Sequence, residues 1–321
     1  MRMKTTFFAG VAMPATNYLK LLNRVKTLVP STKTTLYFFY SEFLIRASRN
    51  SSYREVLNRG VISAIDGKGL EWANWSKSKI KNTYINKPNK VLIYFKFGYF
   101  LIINLILGLI TIIFKHNFSK RTGNQVILGR DFTFDILQVA ATKKWKTLII
   151  GGSHAVQSKL QDHYPSLSLD SWYQPFDCNL MRDQPESDLR IANNIVAKHQ
   201  MLNSDNLLQV FPTLNEVVER IRNSNFDLIL VCIGGASGKQ EFLIDYLQKD
   251  SKCNFTLAVG VGAALDHLGG GIKQPRTSII LEKVGLEWLH RLITQPYRRA
   301  RILDSILGLW IRTSWEMAGG E

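Results

Sequence analysis

The sequence predicts an α/β protein built on a mostly parallel sheet with helices on both faces. Three observations carry that prediction. Short apolar runs alternate with segments of helical spacing. Most of the runs close on Gly-rich turns, at Asp66-Gly67, Gly151-Gly152-Ser153, Gly234-Gly235 and Gly260-Val261-Gly262. Hydrophobic residues make up 45% of the 321 positions, enough apolar surface for a large core and too much for a disordered or collagen-like chain.

In chain order, Thr35–Tyr40 (TLYFFY) reads as a strand of aromatic and β-branched residues. Glu42–Leu57 reads as a helix, with Phe43, Leu44, Ala47, Tyr53 and Leu57 at helical spacing. Val61–Ile65 is a short apolar strand that stops at Asp66-Gly67. Phe132–Ala141 is helical, and Lys146–Ile150 is a strand ending in Gly151-Gly152-Ser153. Leu189–His199 is helical. Leu207–Phe211 reads as a strand closed by Pro212, and Leu214–Asn223 as a helix. Asp227–Ile233 is a buried strand, Gln240–Gln248 a helix and Phe255–Val259 a strand. Strands alternating with helices imply parallel pairing, and ligands of such sheets sit at the carboxyl ends of the strands.

The net charge is +16, from 41 basic and 25 acidic residues, and it is unevenly spread. No Asp or Glu occurs from Trp72 to Arg130, a stretch that holds Lys77, Lys79, Lys81, Lys87, Lys90, Lys96, Lys115, Lys120, Arg121 and Arg130. Within it lies the apolar run Val91–Phe114, interrupted only by Lys96. Basic flanks around an apolar run suit an anionic membrane surface. Nucleic acid, the rival polyanion, leaves the apolar run without a purpose, so no nucleic-acid partner is expected. The uncharged part, Phe97–Phe114, reaches roughly 27 Å as a helix, slightly short of a ~30 Å hydrocarbon core. It can lie in the interface, turn back as a hairpin near Asn104 or Gly108, or dock on the domain. A complete crossing is not expected, because strands before and after the run belong to one sheet.

The N-terminal MRMKTTFFAGVAM has basic residues and a short apolar patch, but Pro14 follows at once and the patch is at the lower limit for a secretion signal. Cys178, Cys232 and Cys253 are odd in number and widely spaced, which argues against a disulfide framework or a zinc site and for a reducing compartment.

Several loop residues have chemistry to offer. The turn Gly151-Gly152-Ser153 presents backbone N–H groups suited to a phosphate, although any strand-to-helix turn favours glycine. Asp66, at the end of an apolar strand, is a candidate general base; on composition alone a turn or helix N-cap is the commoner role of an Asp-Gly pair. Gln240 and Glu241 follow a Gly-rich loop and suit a ribose, a base or a helix cap. No Walker motif, GxGxxG fingerprint, DxD pair or HxxxH pair occurs, so neither a cofactor nor a metal is expected.

Four segments together resemble a known family. Ala64–Trp75 (AIDGKGLEWANW) resembles the DG-x-G-x-x-x-A motif of the WecG/TagA/CpsF glycosyltransferases. Ile233–Phe242 (IGGASGKQEF) resembles their G-x-P-x-Q-E loop, and Val259–Lys273 (VGVGAALDHLGGGIK) their G-V-G-x-x-F-D-x-x-x-G-x-x-x-R segment. Val284–Arg301 (VGLEWLHRLITQPYRRAR) resembles their G-L-E-W-x-x-R-L-x-x-x-P-x-R signature, the most specific of the four. The motifs keep the family's order and cover most of Thr35–Arg301.

The resemblance implies a Rossmann-like core with a helical C-terminal appendage and inverting, metal-independent transfer of a sugar from a UDP-sugar donor. The sugar is of the N-acetylmannosamine type and the acceptor is linked to a polyprenyl diphosphate at the cytoplasmic membrane face, in surface-polysaccharide synthesis. It implies Asp66 as the base and a donor pocket formed by Gly67, Gly151, Gly152, Ser153, Gly234, Gln240, Glu241, Gly260 and Gly262. Arg291, Arg298 and Arg301 of the appendage then hold diphosphate. The expected organisation is 1–76 for the first part of the catalytic domain, 77–122 for the membrane-associating insertion, 123–283 for the rest of the domain and 284–321 for the appendage. A homo-oligomer stays open.

The sequence departs from the family pattern in three places. The usual Thr-x-Asn at the end of the first strand is replaced by Phe38 and Tyr40. The arginine before the T-G-x-D segment is replaced by Val126, ahead of Ile127–Asp131. The proline of the G-x-P-x-Q-E loop gives way to Ser237-Gly238-Lys239. Two alternatives stand beside the main reading: another nucleotide sugar such as UDP-glucose, and a catalytically silent membrane-bound adaptor.

Overall fold

A computed structural model describes residues 5–14, 16–78, 90–113, 125–152, 154–172, 202–233, 238–265, 281, 286–294, 296 and 299–320. The predicted helix Leu189–His199 lies outside these residues, as do Ser153, Gly234 and Arg298.

The centre is a six-stranded parallel sheet. Its strands are β3 (Thr34–Phe39), β4 (Ile62–Ile65), β5 (Lys146–Gly151), β6 (Ser168–Trp172), β7 (Phe226–Cys232) and β8 (Phe255–Gly260), in the spatial order β4-β3-β8-β7-β5-β6. The middle strands read as near-continuous apolar runs because both of their faces are covered. Strand β6 is an edge strand with a half-exposed pattern, SLDSW, and the sequence reading missed it.

One core packs against each face. The first buries α2 (Ser41–Arg49), α3 (Ser51–Arg59), α9 (Leu214–Arg222) and α10 (Lys239–Lys249) through Phe43, Tyr53, Val217 and Phe242. The second buries α1 (Tyr18–Lys26), α6 (Gly129–Lys143) and α7 (His154–His163) through Leu21, Phe132 and Leu160. The predicted helices on both faces are therefore present.

Two expectations need correction. Glu42–Leu57 is two helices, because Asn50 leaves the helical backbone and its side chain accepts from the Tyr53 N–H at 3.0 Å, capping α3. Leu207–Phe211 is not a strand but a helical turn, α8 (Leu207–Val210). The Asn203 side chain accepts from the N–H groups of Asp205 and Asn206, and this turn chemistry starts a helix where a short apolar run alone is ambiguous. The N-terminal apolar patch forms a hairpin of β1 (Thr5–Phe8) and β2 (Val11–Pro14), with Phe8, Val11 and Met13 in the first core.

The described part of the apolar run forms the single helix α5 (Lys90–Ile113), which continues through Asn104 and Gly108. Of the three arrangements left open, the hairpin turn at these positions does not occur. Helix α5 docks on the C-terminal helix α12 (Arg299–Met317). The buried Asn104 donates to Ser314 Oγ at 2.9 Å, Trp310 Nε1 donates to the Leu101 carbonyl at 3.1 Å, and Tyr94 and Phe97 pack their rings against Trp315. Asn104, an oddity in an apolar helix, is thus a helix–helix contact. Helix α12 also packs on α2 and α4 (Lys68–Ser78), and Glu316 near its end accepts from the Ala9 N–H and pairs with Lys77.

Candidate active site

The parallel sheet gathers the carboxyl ends of its strands on one side, and the candidate residues lie there. Strands β3 and β4 lie side by side, so Asp66 follows β4 next to the end of β3: its N–H donates to the Phe39 carbonyl at 2.7 Å. The half-buried Asp66 carboxylate accepts at Oδ2 from the Gly129 N–H, 3.1 Å away, at the start of α6. Leu128, the residue at the N-cap of that helix, makes no capping bond, so Asp66 supplies one from another strand. A Cβ at Gly129 would stand 2.9 Å from Phe38 Cγ and 3.2 Å from Asp66 Oδ2, so the glycine permits the approach. Gly129 falls in the segment that resembles the family's T-G-x-D, and the sequence reading did not single it out.

The start of α10, which follows β7, is tied to the turn after β8 through Gln240. This buried side chain accepts at Oε1 from the Gly262 N–H at 3.1 Å and donates from Nε2 to Glu241 Oε1 at 3.0 Å. Gly260 is needed here, because a Cβ would lie 2.5 Å from Gln240 Nε2. Gly151, at the end of β5 with φ +91°, sits against the Cys232 carbonyl of β7, where a Cβ would come within 2.9 Å. Gly152 follows it and Gly67 follows Asp66, each in a turn that leads into a helix.

Glu241 is completely buried. Burial pushes its carboxyl up to about 7, against the opposing pull of Arg46, its own backbone N–H, Gln240 and Tyr53. Tyr53 donates to Glu241 Oε2 at 3.2 Å. Beyond the end of β3, burial and then the negative charge of Glu42 push the Tyr40 hydroxyl up to about 12, so it stays protonated. Phe38, the other departure from the family pattern, packs on Phe132 in the second core.

The candidate arginines are not assembled alike. Arg301 on α12 pairs with Glu42 of α2 at 2.6 Å and donates from Nη2 to the Tyr40 hydroxyl at 3.4 Å, which brings it to the end of β3. Arg291 is exposed on α11 (Glu287–Thr294), which packs on α12. Glu42 and Arg46 escaped the sequence reading. Their i, i+4 spacing is the only sequence trace they leave, and it normally marks an exposed pair.

The geometry offers a partly accessible carboxylate, a buried carboxamide and a set of N–H-bearing turns along one edge of a parallel sheet. Among the described residues no group of three or more His, Cys, Asp or Glu side chains stands together to hold a metal.

Comparison with known proteins supplies a family. Residues 110–320 match the model of the "Glycosyl transferase WecG/TagA/CpsF family", about two-thirds of the chain. The match begins after Asp66. An "N-acetylglucosaminyldiphosphoundecaprenol N-acetyl-beta-D-mannosaminyltransferase" of Bacillus subtilis (strain 168) is 23% identical over 193 residues, which is 58% of this chain and 60% of that relative. The chain thus aligns with about three-fifths of the relative's length. On the extent of the family match, the chain belongs to the WecG/TagA/CpsF family of glycosyl transferases.

Proposed function

We propose that the protein is an inverting, metal-independent glycosyltransferase. It moves a sugar of the N-acetylmannosamine type from a UDP-sugar to an acceptor carried on a polyprenyl diphosphate, in cell-surface polysaccharide synthesis. The observation that carries this reading is the placement of Asp66 and Gln240 at the carboxyl ends of one parallel sheet, in a chain of this family.

In this reaction an acceptor hydroxyl attacks the anomeric carbon from the face opposite the diphosphate. Asp66 takes the hydroxyl proton. The bond from the anomeric carbon to the diphosphate oxygen breaks, and UDP leaves with the electron pair. Gln240 and the turns at Gly67, Gly151, Gly152, Gly260 and Gly262 line the nucleotide side, with Glu241 and the Gly262 N–H fixing the Gln240 amide. Ser153 and Gly234 belong to the same loops by sequence. Arg291, Arg298 and Arg301 provide positive charge for diphosphate, the task a metal performs elsewhere.

The protein works at a membrane surface. Among the described residues no helix is long and apolar enough to cross a membrane. Strands on both sides of α5 pair in one sheet, which supports peripheral or in-plane attachment. The outer side of α5 exposes Phe95, Ile102 and Leu105 to 76%, 63% and 50%, and α12 exposes Leu303, Leu307 and Ile311 beside it. An apolar surface of this extent between basic sequence flanks fits the headgroup boundary.

Metal independence has its own test. UDP release from UDP-N-acetylmannosamine, with a short-chain polyprenyl-diphosphate-linked N-acetylglucosamine as acceptor, is expected to be unchanged by excess EDTA. Loss of turnover with the chelator, restored by Mg²⁺ or Mn²⁺, would show that the arginines do not hold the diphosphate alone.

A further inference from the structure

We propose that Glu42 and Arg46 are positioning residues that tie Arg301 on the C-terminal helix to the Gln240–Glu241 pair, so that the two sides of the site are held in register. The inference rests on the functional reading above.

The links form one continuous line. Glu42 engages two arginines at once: Oε2 accepts from Arg301 Nε at 2.6 Å and Oε1 from Arg46 Nη2 at 2.7 Å. The side chains of Glu42 and Arg46 are only 14% and 16% exposed. The Arg46 guanidinium lies over the Tyr53 ring, 5.1 Å from its centre, and the Tyr53 hydroxyl donates to Glu241. Glu241 receives the Gln240 amide, and Gln240 in turn receives the Gly262 N–H. The line therefore runs from α12 across α2 and α3 to the first turn of α10 and the turn after β8.

Stability alone is a weak reason for such an arrangement. A buried ion pair is often no more stabilising than apolar side chains of the same volume. Its fixed geometry does offer register, since one Glu42 oxygen holds Arg301 of α12 while the other holds Arg46 of its own helix, which lies over Tyr53 of α3. The ends of the line are the residues assigned to opposite parts of the reaction, Gln240 to the nucleotide sugar and Arg301 to the diphosphate of the acceptor.

Calorimetric titration of UDP tests the link without requiring turnover. Glu42 lies on the Arg301 side, yet Glu42→Gln is expected to weaken UDP binding by about tenfold, with Glu42→Asp between it and the wild type. Glu42→Gln is also expected to raise the acceptor KM by about tenfold, and to add little when Arg301 is already replaced by lysine. Glu42→Asp keeps the charge, so it supplies the measurement should Glu42→Gln fold poorly. A lowered melting temperature with UDP affinity and acceptor KM unchanged would overturn the proposal and leave a purely structural ion pair. A wild type that binds no UDP would instead remove the functional reading, and the relay with it.

Discussion

Replacing Asp66 by asparagine is expected to slow sugar transfer by about 10²–10⁴-fold and to leave the melting temperature almost unchanged. The two halves of that expectation come from different atoms. Asparagine keeps an oxygen that can accept the Gly129 N–H, so the start of α6 stays capped from β4. It lacks the basicity to take a proton from an acceptor hydroxyl. If Asp66 served only as a cap, the variant would turn over at the wild-type rate. Rates of UDP release, measured beside a thermal melt, separate the two roles, and near-normal turnover would end the assignment of Asp66 as base.

The second large effect concerns the membrane. The triple substitution Phe95→Glu, Ile102→Glu and Leu105→Glu is expected to release the protein from anionic vesicles, with at least a thousandfold drop in partitioning. Each of these side chains is half or more exposed on α5. Burial of one such side chain contributes about 1.5–3 kcal/mol, so losing three removes several kcal/mol from attachment. The introduced carboxylates also repel anionic headgroups. The fold should survive, because all three are half or more exposed and the α5–α12 hydrogen bonds are made by Leu101, Asn104, Trp310 and Ser314. Deleting the whole helix is a poorer test, since it would strip α12 of that contact. Vesicle flotation at low salt gives the readout: co-flotation of the triple variant at the wild-type level would contradict the assignment of this surface to a bilayer.

The parallel sheet was legible because its inner strands are covered on both faces and so appear as unbroken apolar runs, such as Asp227–Ile233. Strand β6 was not, because an edge strand with a half-exposed pattern of serine and aspartate resembles a loop. The hairpin at residues 5–14 hid behind an apolar patch too short to assign by period alone. Turn chemistry at Asn203 and Asn206 outweighed the apolar run at Leu207–Phe211, a conflict that composition does not resolve.

At the site, Asp66 and Gln240 could be picked out because strand ends and glycine turns are local features. Their support is not local. The Gly129 N–H reaches Asp66 across 63 positions, and Arg301 meets Glu42 across 259. Glu42 and Arg46 have the spacing of an ordinary exposed helix pair, and only packing by Tyr53 and α12 shows that they are largely enclosed. Phe38 stood out as a departure from the family pattern, and its packing on Phe132 gives it a core role.

The central claim is that this chain transfers a sugar to a lipid-linked acceptor. Mass spectrometry tests it most directly, on wild-type protein incubated with a panel of UDP-sugars and a short-chain polyprenyl-diphosphate-linked N-acetylglucosamine. The account predicts an acceptor heavier by one N-acetylhexosamine when UDP-N-acetylmannosamine is present, formed in stoichiometric balance with UDP. An acceptor of unchanged mass with every donor would contradict it and favour a catalytically silent adaptor.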